Sequence, residues 1–262
     1  MKRKKRGKKN VLKELSIGRI LPNLATLLAL FVGLTQIKFA LNANWEYAIL
    51  AVVAAAILDV SDGRLARMLN ACSRFGAELD SLSDLVVFGV CPAVVVYLFA
   101  LSKIDRIGWV VSAFFAICIA LRLARFNVQD IENVTTELSK RGYSVGVPAP
   151  AGAILCLFPV ILYNAFEMEI FKTPYICLTF SVIASLLCVS KIPTFTIKKV
   201  HIKKNSYKVF LLCIMISMSI TFIYTWKAFS LAIVAYMISI LISNNKAKKI
   251  LDKEYNNATF DT

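Results

Sequence analysis

Four aspartates between residues 59 and 84 stand out in a chain that is otherwise strongly apolar. Asp59 and Asp62 are three residues apart, and Asp80 and Asp84 four apart, so each pair shares one face of a helix. Turned toward each other, the two faces make one tetracarboxylate site. An ionised carboxylate well inside a bilayer costs about 2.5 to 3.5 kcal/mol on insertion scales, and four together also repel one another, so the pattern demands something that neutralises it. No His or Cys is interleaved at ligand spacing, and Cys72 falls in the intervening loop. All-oxygen ligation favours Mg²⁺ or Mn²⁺ over Zn²⁺. A pair of such hard cations suits phosphate or diphosphate chemistry. The expected cofactors are therefore two divalent cations, Mn²⁺ or Mg²⁺, on Asp59, Asp62, Asp80 and Asp84.

The residues around the acids fit that chemistry. Gly63 and Ala66 share a helix with the first pair, and Gly76 precedes Asp80 by one turn, so a bulky ligand can approach the backbone. Arg67 adds a guanidinium able to hold phosphate oxygens in a bidentate fork, which a Lys could not copy. Upstream, Tyr47 to Leu58 is apolar, and downstream so is Leu85 to Leu98; both read as parts of membrane helices with the acids near their ends.

Composition agrees. The chain is 58% hydrophobic, yet its formal net charge is +15. These coexist only if charge is segregated into loops, which excludes an ordinary soluble domain and leaves no case for nucleic-acid binding. The seven cysteines form no paired framework and read as packing residues. Eight spans are expected, at about 20–41, 46–63, 78–101, 108–127, 148–166, 171–190, 208–226 and 228–243. The run from Ile20 to about Ala40 reads as a first span, not a cleaved leader. Under this topology only Lys38, Lys103, Arg106, Lys172 and Lys227 of the 31 Lys and Arg lie on the face opposite the termini. That asymmetry predicts cytoplasmic termini, a cytoplasm-facing acidic site and residence in the cell (inner) membrane.

Outside the acidic motif the signals are weaker. Residues 1–19 form a basic tail that reads as a topology signal, or as a binder of anionic lipid head groups. Arg122 and Arg125 lie one turn apart at the end of the fourth span, followed by Asn127; they are positive-inside anchors, or they hold a carboxylate or phosphate. Pro148 and Pro150 start the fifth helix, and Pro159 is placed to kink it. His201, the one histidine, lies between lysines in a basic linker and reads as solvated. The tail from Asn244 is polar and carries no motif.

The motif itself, Asp59-x2-Asp62-Gly63-x2-Ala66-Arg67-x8-Gly76-x3-Asp80-x3-Asp84, resembles the signature of the CDP-alcohol phosphatidyltransferases at every defined position. Within that family the surrounding text is most similar to the branch that uses serine: Pro22-Asn23-Leu-Ala-Thr26, Phe88-Gly89-Val-Cys-Pro92, Leu121-Arg122-Leu-Ala-Arg125-Phe126-Asn127 and Gly146-Val-Pro148-Ala-Pro150. The resemblance covers roughly residues 20 to 195. It implies an all-α integral membrane fold with a six-helix catalytic core, to which the last two spans are an addition. The expected division is a basic segment at 1–19, the catalytic core at 20–195, and a linker, two extra helices and tail at 196–262. It implies CDP-diacylglycerol as donor, L-serine as acceptor, and a homodimer.

With no membrane-embedded His or Lys, the general base must be a carboxylate, and Asp84, the outermost of the second pair, is the expected one; the resemblance gives that position the same role. Gly63, Ala66, Arg67 and Gly76 would contact the CDP-lipid, with Asn23 and Thr26 as further polar contacts. Another acceptor, such as glycerol phosphate, inositol phosphate or choline, would use the same eight residues. A cation transporter would also place acids in the membrane, but it leaves Gly63, Ala66, Arg67 and Gly76 at their fixed offsets unexplained. An intramembrane prenyltransferase would space its acids differently.

Overall fold

The computed structural model describes residues 17–69, 71, 73–131, 143–190, 192–195 and 224–260. They are almost entirely helical. In chain order the elements are α1 (Ile17–Leu41), α2 (Trp45–Met68), α3 (Arg74–Phe99), α4 (Asp105–Ile131), β1 (Tyr143–Val145), α5 (Ala149–Cys156), α6 (Phe158–Phe166), α7 (Pro174–Val189), β2 (Pro193–Phe195) and α8 (Thr225–Phe260).

Among the described residues four helical stretches are long and apolar enough to cross a bilayer: Ile20–Leu41, Arg74–Phe99, Leu101–Val128 and Thr225–Ser243. The pair α5 and α6 makes a fifth if it counts as one broken span. The chain is a multi-pass membrane protein. The expected second span coincides with α2, but Glu46, Asp59, Asp62, Arg64 and Arg67 interrupt its apolar run. The expected sixth coincides with α7, a shorter apolar helix of 16 residues. Nearly all of the expected seventh span, 208–226, lies outside the described residues, as do residues 1–16 of the basic tail and His201.

Three local features differ from, or sharpen, the expectation. The α5–α6 pair is bent by 51°, with Pro159 in the first turn of α6; its ring clashes with the preceding turn and it has no N–H to donate, so the expected kink is present. The helical ladder of α3 widens into a π turn at Leu85–Val90, directly after Asp84. Buried Gln36 of α1 donates its side-chain amide to the Val87 carbonyl of that turn at 3.2 Å; the residue five further on is Pro92, which has no N–H to offer that carbonyl. A short antiparallel strand pair also joins the chain before α5 to the chain after α7, with Tyr143 opposite Phe195 and Val145 opposite Pro193.

The core is built from Ile49 and Val52 of α2, Phe88 and Phe99 of α3, Phe115 and Ile119 of α4, and Leu157 and Ile161 at the break and in α6. Large apolar side chains such as Leu24, Phe31, Trp109, Val110, Leu231 and Leu241 point outward. On a soluble protein they would be a liability; on a membrane protein they are the lipid-facing surface. Consecutive long helices reverse direction, so the start of α1, the end of α2, the start of α3 and the end of α4 gather at one end of the bundle. That end carries the acids.

At the opposite end α4 begins against the short 3₁₀ turn Leu101–Ile104. A Cβ at Gly108 would stand 2.0 Å from the Leu101 carbonyl oxygen, which is backbone and cannot step aside. Gly108→Ala is therefore expected to destabilise the protein by about 1 to 3 kcal/mol, read as a lowered melting temperature in detergent. An unchanged melting temperature would contradict this packing.

Candidate active site

The last turns of α2, the first turns of α3 and the beginning of α1 enclose a cleft of about 420 Å³. Its walls are Pro22, Asn23 and Thr26 from α1; Asp62, Gly63, Ala66 and Arg67 from α2; Ala71 and Ser73 from the connection; and Gly76, Ala77 and Asp80 from α3. The structure thus brings together most residues of the acidic motif, with Asn23 and Thr26 facing them.

Carboxylate oxygens of Asp59, Asp62 and Asp80 lie within 4.8 Å of one another. Asp62 is 3% exposed, and its Oδ2 has no hydrogen-bond partner among the described residues. A buried carboxylate oxygen with nothing to accept from is costly, and two carboxylates beside it make the cost larger. Such a donor set fits a hard divalent cation: oxygens only, converging, one of them orphaned. Asp84 sits apart from this trio. Its carboxyl is within hydrogen-bonding reach of Asp59, and the Arg122 guanidinium acts on it from α4.

The walls explain the small residues. A Cβ at Gly63 would meet only the Arg67 guanidinium, at 4.0 Å, so the glycine bares the α2 backbone to open cleft. Gly76 is different, because a Cβ there would stand 3.0 Å from Asn23 Oδ1 and 3.2 Å from Ser73 Oγ. It lets the start of α3 close onto α1 more than it makes room for a ligand. Ser73 caps α3, its hydroxyl accepting the Gly76 N–H at 3.0 Å. The positive end of the α3 dipole and Arg67 therefore both face a cleft whose floor is acidic, an arrangement suited to anionic phosphate held through a cation. Thr26, buried beside Asp62, donates to the Pro22 carbonyl at 3.2 Å.

The expected acceptor residues lie outside the cleft lining. Arg122 donates its Nε–H to the Val147 carbonyl, and Arg125 donates from Nη1 to the Val189 carbonyl at 2.8 Å. Asn127 donates to Ser81 Oγ at 2.9 Å, tying α4 to α3 one residue past Asp80. Sequence reasoning did not single out Ala71, Ser73 or Ala77, and named Pro22 only within the stretch that opens the first span. Ser73 carried a legible signal, a serine immediately before a helical run.

The family model for CDP-alcohol phosphatidyltransferases matches residues 19–190. The chain belongs to this family. The match spans the elements that build the cleft, from α1 through α7. Among curated proteins, the CDP-diacylglycerol–serine O-phosphatidyltransferase of Helicobacter pylori is 37% identical over 219 residues, covering 84% of this chain and 88% of that protein. That of Mycobacterium tuberculosis is 46% identical over 184 residues, covering 70% of this chain; the match spans 62% of the mycobacterial protein's length. The Bacillus subtilis protein of the same name is 35% identical over 150 residues, covering 57% of this chain and 80% of that protein.

If the acidic trio holds a cation, Mn²⁺ should raise the melting temperature of the purified protein, because a ligand that binds only the folded state stabilises it. Asp62→Asn and Asp80→Asn should each remove most of that rise. A full Mn²⁺-dependent rise in both variants would place the cation elsewhere.

Proposed function

We propose that the protein transfers the phosphatidyl group of CDP-diacylglycerol to the hydroxyl of L-serine, giving phosphatidylserine and CMP. The observation that carries this reading is the convergence of motif residues from α2 and α3 on one cleft that opens at the acidic end of the bundle. Supporting it are the names borne by the relatives from Helicobacter pylori, Mycobacterium tuberculosis and Bacillus subtilis, which are serine enzymes.

Asp59, Asp62 and Asp80, with Asp84 as the fourth carboxylate, would hold the divalent cations; we take the number as two and the ion as Mn²⁺ or Mg²⁺. Bound there, the cations supply Lewis-acid neutralisation of the diphosphate oxygens and of the charge that builds on departing CMP. Arg67 and the N-terminus of α3 orient the diphosphate from the open side of the cleft. Gly63 and Ala66 let the nucleotide lie against α2, Gly76 sets the closeness of α1 and α3, and Asn23 and Thr26 give polar contacts. The acyl chains remain in the bilayer.

Asp84 takes the proton from the serine hydroxyl as its oxygen attacks the lipid-side phosphorus. One P–O bond forms, the P–O bond to CMP breaks, and the nucleotide departs. Arg122, acting on Asp84 from α4, together with Arg125 and Asn127 forms the acceptor side. Residues 20–195 are the catalytic core and 196–262 an addition to it. The site and both termini face the cytoplasm in the inner membrane, the enzyme works as a homodimer, and the basic tail 1–19 contacts anionic lipid.

The test is CMP release by the purified protein in detergent with CDP-diacylglycerol and Mn²⁺, offered serine, glycerol phosphate, inositol phosphate or no acceptor. Release that requires serine and stops with chelator is expected; release with another acceptor alone would overturn the serine assignment. Asp84→Asn is expected to lower turnover by about 100-fold or more while keeping metal-dependent binding of the CDP-lipid. Asp59→Asn should weaken that binding itself. Turnover of Asp84→Asn equal to wild type would remove Asp84 from the role of base.

A further inference from the structure

Gln36 is a fully buried amide in the middle of a membrane-spanning helix, and the reaction proposed above gives it no part. Its Nε2 donates to the Val87 carbonyl at 3.2 Å, while its Oε1 is enclosed with no partner among the described residues. An apolar side chain of the same length would avoid that unpaired oxygen. What the glutamine gives in return is one bond, between α1 and the turn that follows Asp84.

The local hydrogen bonding shows what that bond holds. In a regular helix the Val87 carbonyl would accept from Cys91, four residues on. Here the Cys91 N–H goes to the Val86 carbonyl, the π spacing. The π partner of Val87 would be residue 92, which is proline and has no N–H. The Gln36 amide stands in for both. Without it the buried Val87 carbonyl would be unpaired, and the remedy at hand is for the Cys91 N–H to move from Val86 to Val87, which restores the regular register. One residue fewer in the turn rotates the helix before it by about 100° against the helix after it. The part after the turn is held in the core by Val95, Val96 and Phe99. Asp84, the residue immediately before the turn, would therefore be the one carried round.

Packing holds the turn from two sides. Gly33, one turn before Gln36 on the same face of α1, lets the Val87 side chain seat against the helix, since a Cβ there would stand 2.5 Å from Val87 Cγ2. Across the turn, a Cβ at Gly89 would stand 3.2 Å from Ile119 Cγ2 of α4. The helix that lends Asn23 and Thr26 to the donor cleft thus also grips Val87 by side chain and carbonyl.

We propose that Gln36 is a positioning residue for phosphatidyl transfer: by holding the Val87 carbonyl it keeps α3 in its π register and so aims Asp84 at the acceptor hydroxyl. This rests on the role of Asp84 as base and extends it to a residue of α1.

The experiment places Gln36→Met, which keeps the length and loses the donor, in wild type and in Asp84→Asn. The readouts are kcat and both KM values well below the melting temperature, and the rise in melting temperature with Mn²⁺. In wild type, kcat should fall about 10- to 100-fold, the usual effect of a misaimed group, with both KM values and the Mn²⁺-dependent rise retained. In Asp84→Asn the same substitution should change kcat by less than about twofold, because there is no base left to aim. Should Gln36→Met not fold, Gln36→Asn, whose amide is one carbon short of the Val87 carbonyl, is read in the same way. A lower melting temperature with unchanged kcat would overturn the proposal and make Gln36 a packing residue. An equal fall in both backgrounds, or loss of the Mn²⁺-dependent rise, would also overturn it, since Gln36 would then act other than through Asp84. Turnover of Asp84→Asn equal to wild type would remove the base assignment and this proposal together, whereas an impaired Asp84→Asn beside an unaltered Gln36→Met overturns only the role of Gln36.

Discussion

The structure depends on holding like charges together where water is scarce. Asp59, Asp62 and Asp80 converge to within 4.8 Å, and carboxylates at that spacing repel strongly in a medium less polar than water. Hydrophobic packing cannot supply the compensation. A hard divalent cation between them would supply it, and the surrounding elements leave the carboxylate oxygens uncovered. The close approach of α1 to α3 at Gly76, the cap at Ser73 and the buried Thr26 beside Asp62 all fix backbone near the acids without covering their oxygens. Covering them would satisfy the apo protein and abolish the site.

The same constraint separates two halves of the chemistry. The cleft of α1, α2 and α3 carries the acidic trio, Arg67 and the bare backbone at Gly63. Asp84 lies outside that lining, within the electrostatic reach of Asp59 and of Arg122. Under the proposed mechanism, Asp84 would serve as base between the carboxylate-rich half and the arginine-bearing half. The π turn after Asp84, braced by Gln36, bends the helical register just where the two halves meet. Irregular helix is common at such places, because it aims a side chain that a regular helix would point elsewhere.

Much of this was legible in the sequence, for reasons that differ by residue. The acids and their small neighbours were readable because helical periodicity places them on one face whatever the tertiary packing. The bend at Pro159 followed from proline chemistry alone. Asn23 and Thr26 could be named because they open the first span, although only the structure places them against Asp62 and Gly76. The bonds of Arg122 and Arg125 to the Val147 and Val189 carbonyls were not readable, since they join segments 25 and 64 residues apart. Nor was the π turn, whose brace comes from a different helix. The continuation of α8 to Phe260 through a tail that read as merely polar reflects lysines and alanines that favour helix without any apolar pattern to announce it.

The central claim is that the acidic trio holds the cation that holds the donor's diphosphate. Its most direct test is a structure of the protein with CDP-diacylglycerol and Mn²⁺, with the metal located by its anomalous scattering. The account predicts Mn²⁺ among the carboxylates of Asp59, Asp62 and Asp80, with diphosphate oxygens in its coordination sphere and the nucleotide along Gly63 and Ala66. A donor seated in the cleft with no metal on those three aspartates, or Mn²⁺ bound away from the diphosphate, would contradict it.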